Sequence, residues 1–126
     1  MRRSIPRLDE QQKKQAVAAL ESHENASRDE SSATHRAFHL SLYAAAGARL
    51  ARLIGQHIDA AERYLRLEAT LVGTVDKDRQ EHRALLDAAL TGDVESAHQL
   101  IEQHVAGSGL RIATLLRERG GTREKE

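Results

Sequence analysis

The sequence contains no cysteine, a single proline and very few aromatic residues. Without cysteine, disulfide bonds and thiolate metal ligands are excluded, and a reducing cytoplasm is a compatible compartment. Aromatic and β-branched residues, which favour strands, are scarce, whereas alanine, leucine, arginine and glutamate, which favour helices, are abundant. The only proline, Pro6, lies near the N-terminus. This composition predicts an all-α protein.

The chain also lacks an excess of either charge and any long apolar run. Its 19 lysines and arginines balance 19 aspartates and glutamates, so no net field would hold it on nucleic acid or an anionic membrane. No apolar run could span a bilayer, and no signal-peptide core follows the basic N-terminus. A length of 126 residues fits one domain. We therefore expect one cytoplasmic domain without membrane contact.

Apolar residues recur with a helical period along five segments. The predicted helices run from a cap at Asp9 to about His23, across His35 to Gly47, from there to Gly73, from about Val75 to Leu90, and from about Val94 to Arg117. Because the links between them are short, we expect an antiparallel bundle of about five helices. Residues 1–8 and 119–126 are charged, so they are predicted to be flexible ends around a domain at 9–118.

Four histidines fall on the predicted inward faces of three helices. His35 and His39 are one helical turn apart, so their imidazoles can converge on one ion. His82 and His104 lie on the apolar faces of two further helices, where an unpaired imidazole would lose hydrogen bonds. A lone inward histidine is more often a hydrogen-bonded core residue than a ligand. Four together instead predict a divalent-metal site.

The remaining histidines carry weaker signals. His57 also falls on an inward face and could be a pocket residue, but nothing in the sequence identifies a partner for it, so a core residue is the favoured interpretation. His23 and His98 are predicted to lie at the boundary with solvent. None of the three is therefore included in the predicted metal site.

The spacing of these residues resembles that of a known family. The matching pattern is His35-x-x-Phe38-His39, Ala45-Ala46-Gly47, Glu81-His82-x-x-Leu85-Leu86, Gly92-Asp93-x-x-x-Ala97 and His104. It is similar to the FadR C-terminal domain (FCD domain), the effector-binding half of many GntR-family bacterial transcription regulators. The resemblance runs from about Asp9 to Leu116.

The resemblance implies a metal site and an effector. In the family, an acidic or asparagine residue and three histidines bind a divalent metal, and small carboxylates complete its coordination. His39, His82 and His104 match the three histidines, whereas His35 stands where the family usually has the acidic ligand. Four neutral imidazoles favour Zn²⁺ or Ni²⁺ and leave the charge of the ion to be balanced by an anionic ligand.

The resemblance further implies an arginine near the ligand and pairing of two domains. Arg63 lies where the family often has an arginine, although a solvated arginine among charged neighbours is an equally good interpretation. Ala48 departs from the asparagine that often follows the glycine. The family's usual winged helix-turn-helix and first domain helix are not visible in this sequence. We therefore expect a shortened FCD-like domain that forms homodimers and reaches DNA only indirectly.

Three functions remain open from the sequence. The first is a non-enzymatic sensor in which a small organic acid binds to the metal and shifts the packing of the helices. The second is a structural or dimerising bundle with a degenerate metal site. The third is a metal-dependent hydrolase, which would need a general base such as Glu81. Because Glu81 is expected to face away from His82, the hydrolase is the least favoured.

Overall fold

The computed structural model describes residues 1–72 and 75–123, including the side chains of residues 1–66 and 76–121. Within these residues the chain forms five α-helices and no strand, which confirms the all-α prediction. The helices are α1 (Glu10–Glu24), α2 (Ser31–Ser41), α3 (Ala48–Val72), α4 (Val75–Thr91) and α5 (Val94–Arg123). α1 packs against α2 and α4, while α5 packs against α4 and α3. No helix in the described ranges is long and apolar enough to cross a membrane.

Local sequence signals set several helix ends. The Asp9 side chain accepts a hydrogen bond from the Gln12 amide at 2.7 Å, and the Gln12 side chain accepts one from the Asp9 amide at 3.0 Å. This capping box satisfies two amides that the first turn leaves free. Gly92, at φ 72°, follows α4 in the left-handed region. Asp93 then caps α5, because its side chain accepts a hydrogen bond from the Ser96 amide at 3.2 Å. The predicted stop at Gly73 lies outside the described residues.

The second helix ends earlier than its apolar period predicts. The period extended to Gly47, whereas α2 ends at Ser41. The Ser41 hydroxyl donates to the Phe38 carbonyl at 2.5 Å, and most of the following amides, up to Ala46, bond to carbonyls three residues back. These tighter turns replace the last helical turns. Gly47, at φ 96°, then directs the chain into α3.

The first eight residues pack into the bundle. Ile5 and Leu8 are buried in the core, and the buried Ser4 hydroxyl accepts a hydrogen bond from the Ala45 amide at 3.2 Å. Pro6 fits the first turn of a short 3-10 helix because no amide is needed there. This packing differs from the flexible segment expected at 1–8. The charges suggested solvent exposure, but Ile5 and Leu8 between them are part of the core.

The last helix continues beyond its predicted end. α5 is unbroken through Gly107 and Gly109 and reaches Arg123, past the expected domain end at 118. Its outer half presents exposed apolar side chains: Leu110 is 66% exposed and Leu116 is 46% exposed. The N-terminal part of the same helix is different, because Ala97 is fully buried.

The hydrophobic core lies among α1, α2, α4 and the start of α5. Leu20, Phe38 and Leu85 are its largest fully buried members within the α-helices, each no more than 2% exposed. Among the described side chains, no residue of α3 belongs to this core. The described apolar side chains of α3 therefore lie outside the hydrophobic core.

Candidate metal centre

The four histidines predicted to bind a metal come together in the structure. His35 and His39 extend from α2, His82 from α4 and His104 from α5, and each offers a donor nitrogen within 4.8 Å of the other three. His39, His82 and His104 are all less than 9% exposed. Three helices thus contribute to one cluster of imidazoles.

The spacing of one pair of nitrogens in the cluster fits a shared metal ion. The Nε2 atoms of His39 and His82 lie 3.2 Å apart. Two nitrogens bound tetrahedrally to one zinc ion, at about 2.0–2.1 Å each, are separated by about 3.3–3.4 Å. An all-nitrogen donor set also suits zinc or nickel better than magnesium or calcium. The residues present therefore fit the kind of ion that the sequence predicts.

Burial keeps the imidazoles of this cluster in the form that binds metals. Burial, and then repulsion from neighbouring histidines, lowers the pKa of His35 to about 4 and that of His82 to about 2. The same two causes lower the pKa of His39 well below its usual value. At neutral pH these three rings are uncharged, so each has a nitrogen lone pair available for a ligand bond.

Glu81 orients one of the four rings. The Nδ1 of His104 lies 2.5 Å from Oε2 of Glu81. An ionised carboxylate can only accept, so Nδ1 is the donor in this pair and Nε2 is the nitrogen left for a metal. A carboxylate that holds a histidine in this way also makes its other nitrogen a stronger metal ligand. Lys77 Nζ lies 3.8 Å from the second oxygen of Glu81.

Sequence reasoning missed this role of Glu81. It considered the residue only as a base beside His82, whereas the structure pairs it with His104, 23 residues away on α5. The adjacent Glu81-His82 pair on α4 was the available signal, but the sequence does not show which side chain of another helix lies opposite. The packing of α4 on α5 decides it.

A fifth histidine borders the cluster. The ring of His23 lies 5.4 Å from that of His35 and 5.6 Å from that of His82, between ring centroids. Its Nδ1 is 2.9 Å from the Thr34 hydroxyl, which donates its own proton to the Glu30 carbonyl at 3.0 Å. Nδ1 of His23 is therefore the donor, and Nε2 carries the lone pair. The sequence predicted only that His23 lies at the boundary with solvent. The packing of α1 on α2 places its ring beside the cluster.

The cluster lines part of a cavity of about 850 Å³. The apolar walls come from α3 and α5, and their main residues are Ile54, Ile58, Ala61, Leu65, Ile101 and Ile112. His57 also borders the cavity, although its side chain is exposed. A polar cluster and apolar walls in one cavity are typical of small-molecule binding sites.

The arginine predicted to bind the ligand lies elsewhere. Arg63 is exposed and is not among the residues that line the cavity. Arg66, one turn later on α3, does line it and donates from Nε to the Ser32 hydroxyl at 2.6 Å. A shift of three residues along the helix thus separates the predicted arginine from the one beside the cavity.

Comparisons with known proteins agree with this architecture. The family model of the FCD domain matches residues 1–107. A solved structure of a transcriptional regulator (GntR family member) from Pseudomonas syringae pv. tomato is similar, with a TM-score of 0.83 and 26% sequence identity. The match covers 97% of this chain and 52% of that one, so this chain spans about half of that regulator. A search of curated proteins found no significant match. The chain belongs to the FCD domain family.

Proposed function

We propose that this chain is the effector-sensing part of a GntR-type transcription regulator, in which the four clustered histidines hold a divalent metal and a small organic acid binds beside them. The observation that supports the proposal most directly is the position of the histidines. Donor nitrogens from three helices converge within 4.8 Å at the edge of a cavity large enough for a ligand. The likeness to a GntR-family regulator supports the sensing role.

His35, His39, His82 and His104 would hold the metal. When bound, zinc or nickel would supply a Lewis-acidic position for a carboxylate oxygen. The imidazoles contribute no negative charge, so an anionic effector is favoured over a neutral one. Glu81 accepts a hydrogen bond from Nδ1 of His104 and so acts on the metal through this histidine. Its carboxylate would also offset part of the positive charge of the ion.

The ligand set also suggests how binding could be transmitted. The four histidines belong to α2, α4 and α5, so a ligand at the cluster contacts three packed helices at once. An acid that binds one arrangement of these helices more tightly than another shifts the population toward that arrangement. We propose that a second copy of the domain or a DNA-binding domain reads this shift. The role needs no catalytic turnover.

Elemental analysis of protein purified without an affinity tag tests the metal site. We expect about one equivalent of zinc or nickel per chain in the wild type and none in a His82→Ala, His104→Ala double variant. His98→Ala is the matched control, because His98 also lies on α5 but faces Glu102, at 3.7 Å, outside the cavity. It should retain the metal.

The other two functions are outcomes of the same experiment. If wild-type protein takes up no zinc or nickel even on reconstitution, the sensor proposal fails and a structural or dimerising bundle is the better account. If the metal-loaded protein hydrolyses ester or amide substrates, and the double variant does not, the site belongs to a hydrolase. Zinc-dependent binding of acetate without turnover supports the sensor.

A further inference from the structure

The third helix has an apolar stripe that does not enter the core. Ile54, Ile58 and Leu65 lie four and seven residues apart, on one face of α3. All three line the cavity and are partly exposed, whereas none of them belongs to the core cluster. An apolar face of this length normally packs against another apolar surface. In this chain, it borders the cavity instead.

Apolar residues of α5 form a second wall of the cavity. Ile101 and Ile112 line the same cavity, and so does Val105, which is 62% exposed. Protein interiors are normally filled to the density of organic crystals, and water against apolar walls is unfavourable. A cavity of about 850 Å³ between two such walls is therefore stabilised by an apolar occupant.

The charged residues around the cavity argue against a compact polyanion. Four acidic side chains line it against three arginines, and Arg66 already lies 3.5 Å from Glu62. Two of the other acids are paired with arginines outside the lining: Glu24 lies 2.7 Å from Arg83, and Asp78 lies 3.6 Å from Arg111. The lining charges are therefore nearly balanced, without the excess of cations that would favour a ligand with several carboxylates. The lining acidic residues are Glu24, Asp29, Glu62 and Asp78, and the arginines are Arg28, Arg66 and Arg79.

We infer that the effector is a monocarboxylate with an apolar chain or ring of several carbons, its carboxylate at the histidine cluster and its apolar part between α3 and α5. This inference rests on the proposed function, because the metal anchors the head group. The histidines and the apolar walls border one continuous cavity, so a single molecule can contact both. An acid of two or three carbons would leave most of that volume without an apolar contact.

A series of straight-chain acids tests the inference on the full chain reconstituted with zinc. Calorimetry would compare acetate, butanoate, hexanoate and octanoate with citrate as the compact polyanion. Each buried methylene should tighten binding about two- to fourfold. We therefore expect the Kd to fall steadily from acetate to octanoate, with hexanoate binding more tightly than citrate.

Matched variants locate the apolar part of the ligand. Ile58→Ser should flatten the dependence on chain length while leaving zinc content and acetate affinity unchanged. Leu110→Ser makes a comparable change on an exposed residue that does not line the cavity, so it should behave as the wild type. Ile58→Phe keeps the wall apolar but reduces the space. It should weaken octanoate binding without weakening butanoate binding.

The outcomes separate this inference from the proposed function. If no acid binds in a zinc-dependent manner, the proposed function itself fails. If acetate and citrate bind with zinc but affinity does not rise with chain length, the sensor stands and the inference is overturned. If long acids do not bind and Ile58→Ser dissociates a dimer, the apolar walls are a subunit contact, which also overturns it.

Discussion

Two regions of this bundle use apolar residues in different ways. The packed region, formed by α1, α2, α4 and the start of α5, buries Phe38 and Leu85 to 1% exposure or less. The open region, formed by α3 and the part of α5 after His104, leaves Ile58 partly exposed and Leu110 66% exposed. Both regions have helices with apolar faces, so periodicity alone does not distinguish them. What differs is whether a neighbouring helix covers the face.

The histidine cluster lies where the two regions meet. His39 and His82 are buried by the packed region, while the same cluster borders the cavity of the open region. The packed region can therefore hold the histidine nitrogens in place, and the open region can admit a small molecule. Among the described residues, the apolar side chains that border the cavity therefore indicate the proposed ligand site better than the core does. The following predictions test it, from the largest expected effect to the smallest.

The largest expected effect is the destabilisation of the metal-free protein by acid, because the buried histidines of the cluster are neutral in the folded state. The pKa values of His35, His39 and His82 are lowered in the folded state, whereas an unfolded chain takes up these protons below about pH 6.5. The free energy of unfolding should therefore be highest above about pH 6.5 and fall as the pH drops toward 4. Each proton contributes up to about 1.4 kcal/mol per pH unit.

Urea denaturation at a series of pH values measures this loss. His35→Gln removes one titrating group, so its curve should be flatter between pH 6.5 and 4 while remaining parallel to the wild type above that range. An unfolding free energy that does not change between pH 7 and pH 5 would contradict the burial of the neutral cluster.

Truncation of one side chain in each region compares them directly. Leu85→Ala should cost about 2–5 kcal/mol, because it leaves a cavity in a filled core. Ile58→Ala should cost less than about 1 kcal/mol, because its side chain already borders a space. Urea denaturation of both variants without metal gives the two values. Equal losses would mean that the open region is as well packed in solution as the core.

Glu81→Gln should weaken zinc binding without unfolding the protein. Loss of a carboxylate that orients a metal-binding histidine typically reduces affinity about 10- to 100-fold. Competition with a chromophoric chelator measures the affinity, and circular dichroism verifies the helix content. Glu102→Gln is the control, because this exposed glutamate lies beside His98 rather than His104. An unchanged zinc affinity in Glu81→Gln would remove Glu81 from the site.

The smallest effect concerns two glycines. Gly109→Ala, in the helical and open part of α5, should stabilise the protein by about 0.5–1 kcal/mol, since an added Cβ meets no atom within 4 Å. Gly92→Ala should instead destabilise it by about 1–2 kcal/mol, because φ is 72° there. Thermal unfolding distinguishes the two signs. If Gly109→Ala destabilises, that part of α5 is covered in solution.

Much of the fold could be predicted from local patterns. The capping box at Asp9 and the left-handed turn at Gly92 involve residues close in sequence, so their geometry follows from local hydrogen bonds and backbone sterics. His35 and His39 share a helix face because they are one turn apart. The pattern of histidines also identified the family.

The sequence by itself determined which residues can share a helix face, and only the tertiary structure decided which faces meet. Glu81 reaches His104, His23 borders the cluster, and Arg66 rather than Arg63 lines the cavity, each because of how separate helices pack. Long-range contacts also bury Ile5 and leave the stripe of α3 outside the core. The helical period determines to which side of its own helix a side chain points. Which residue it contacts there depends on where the other helices lie.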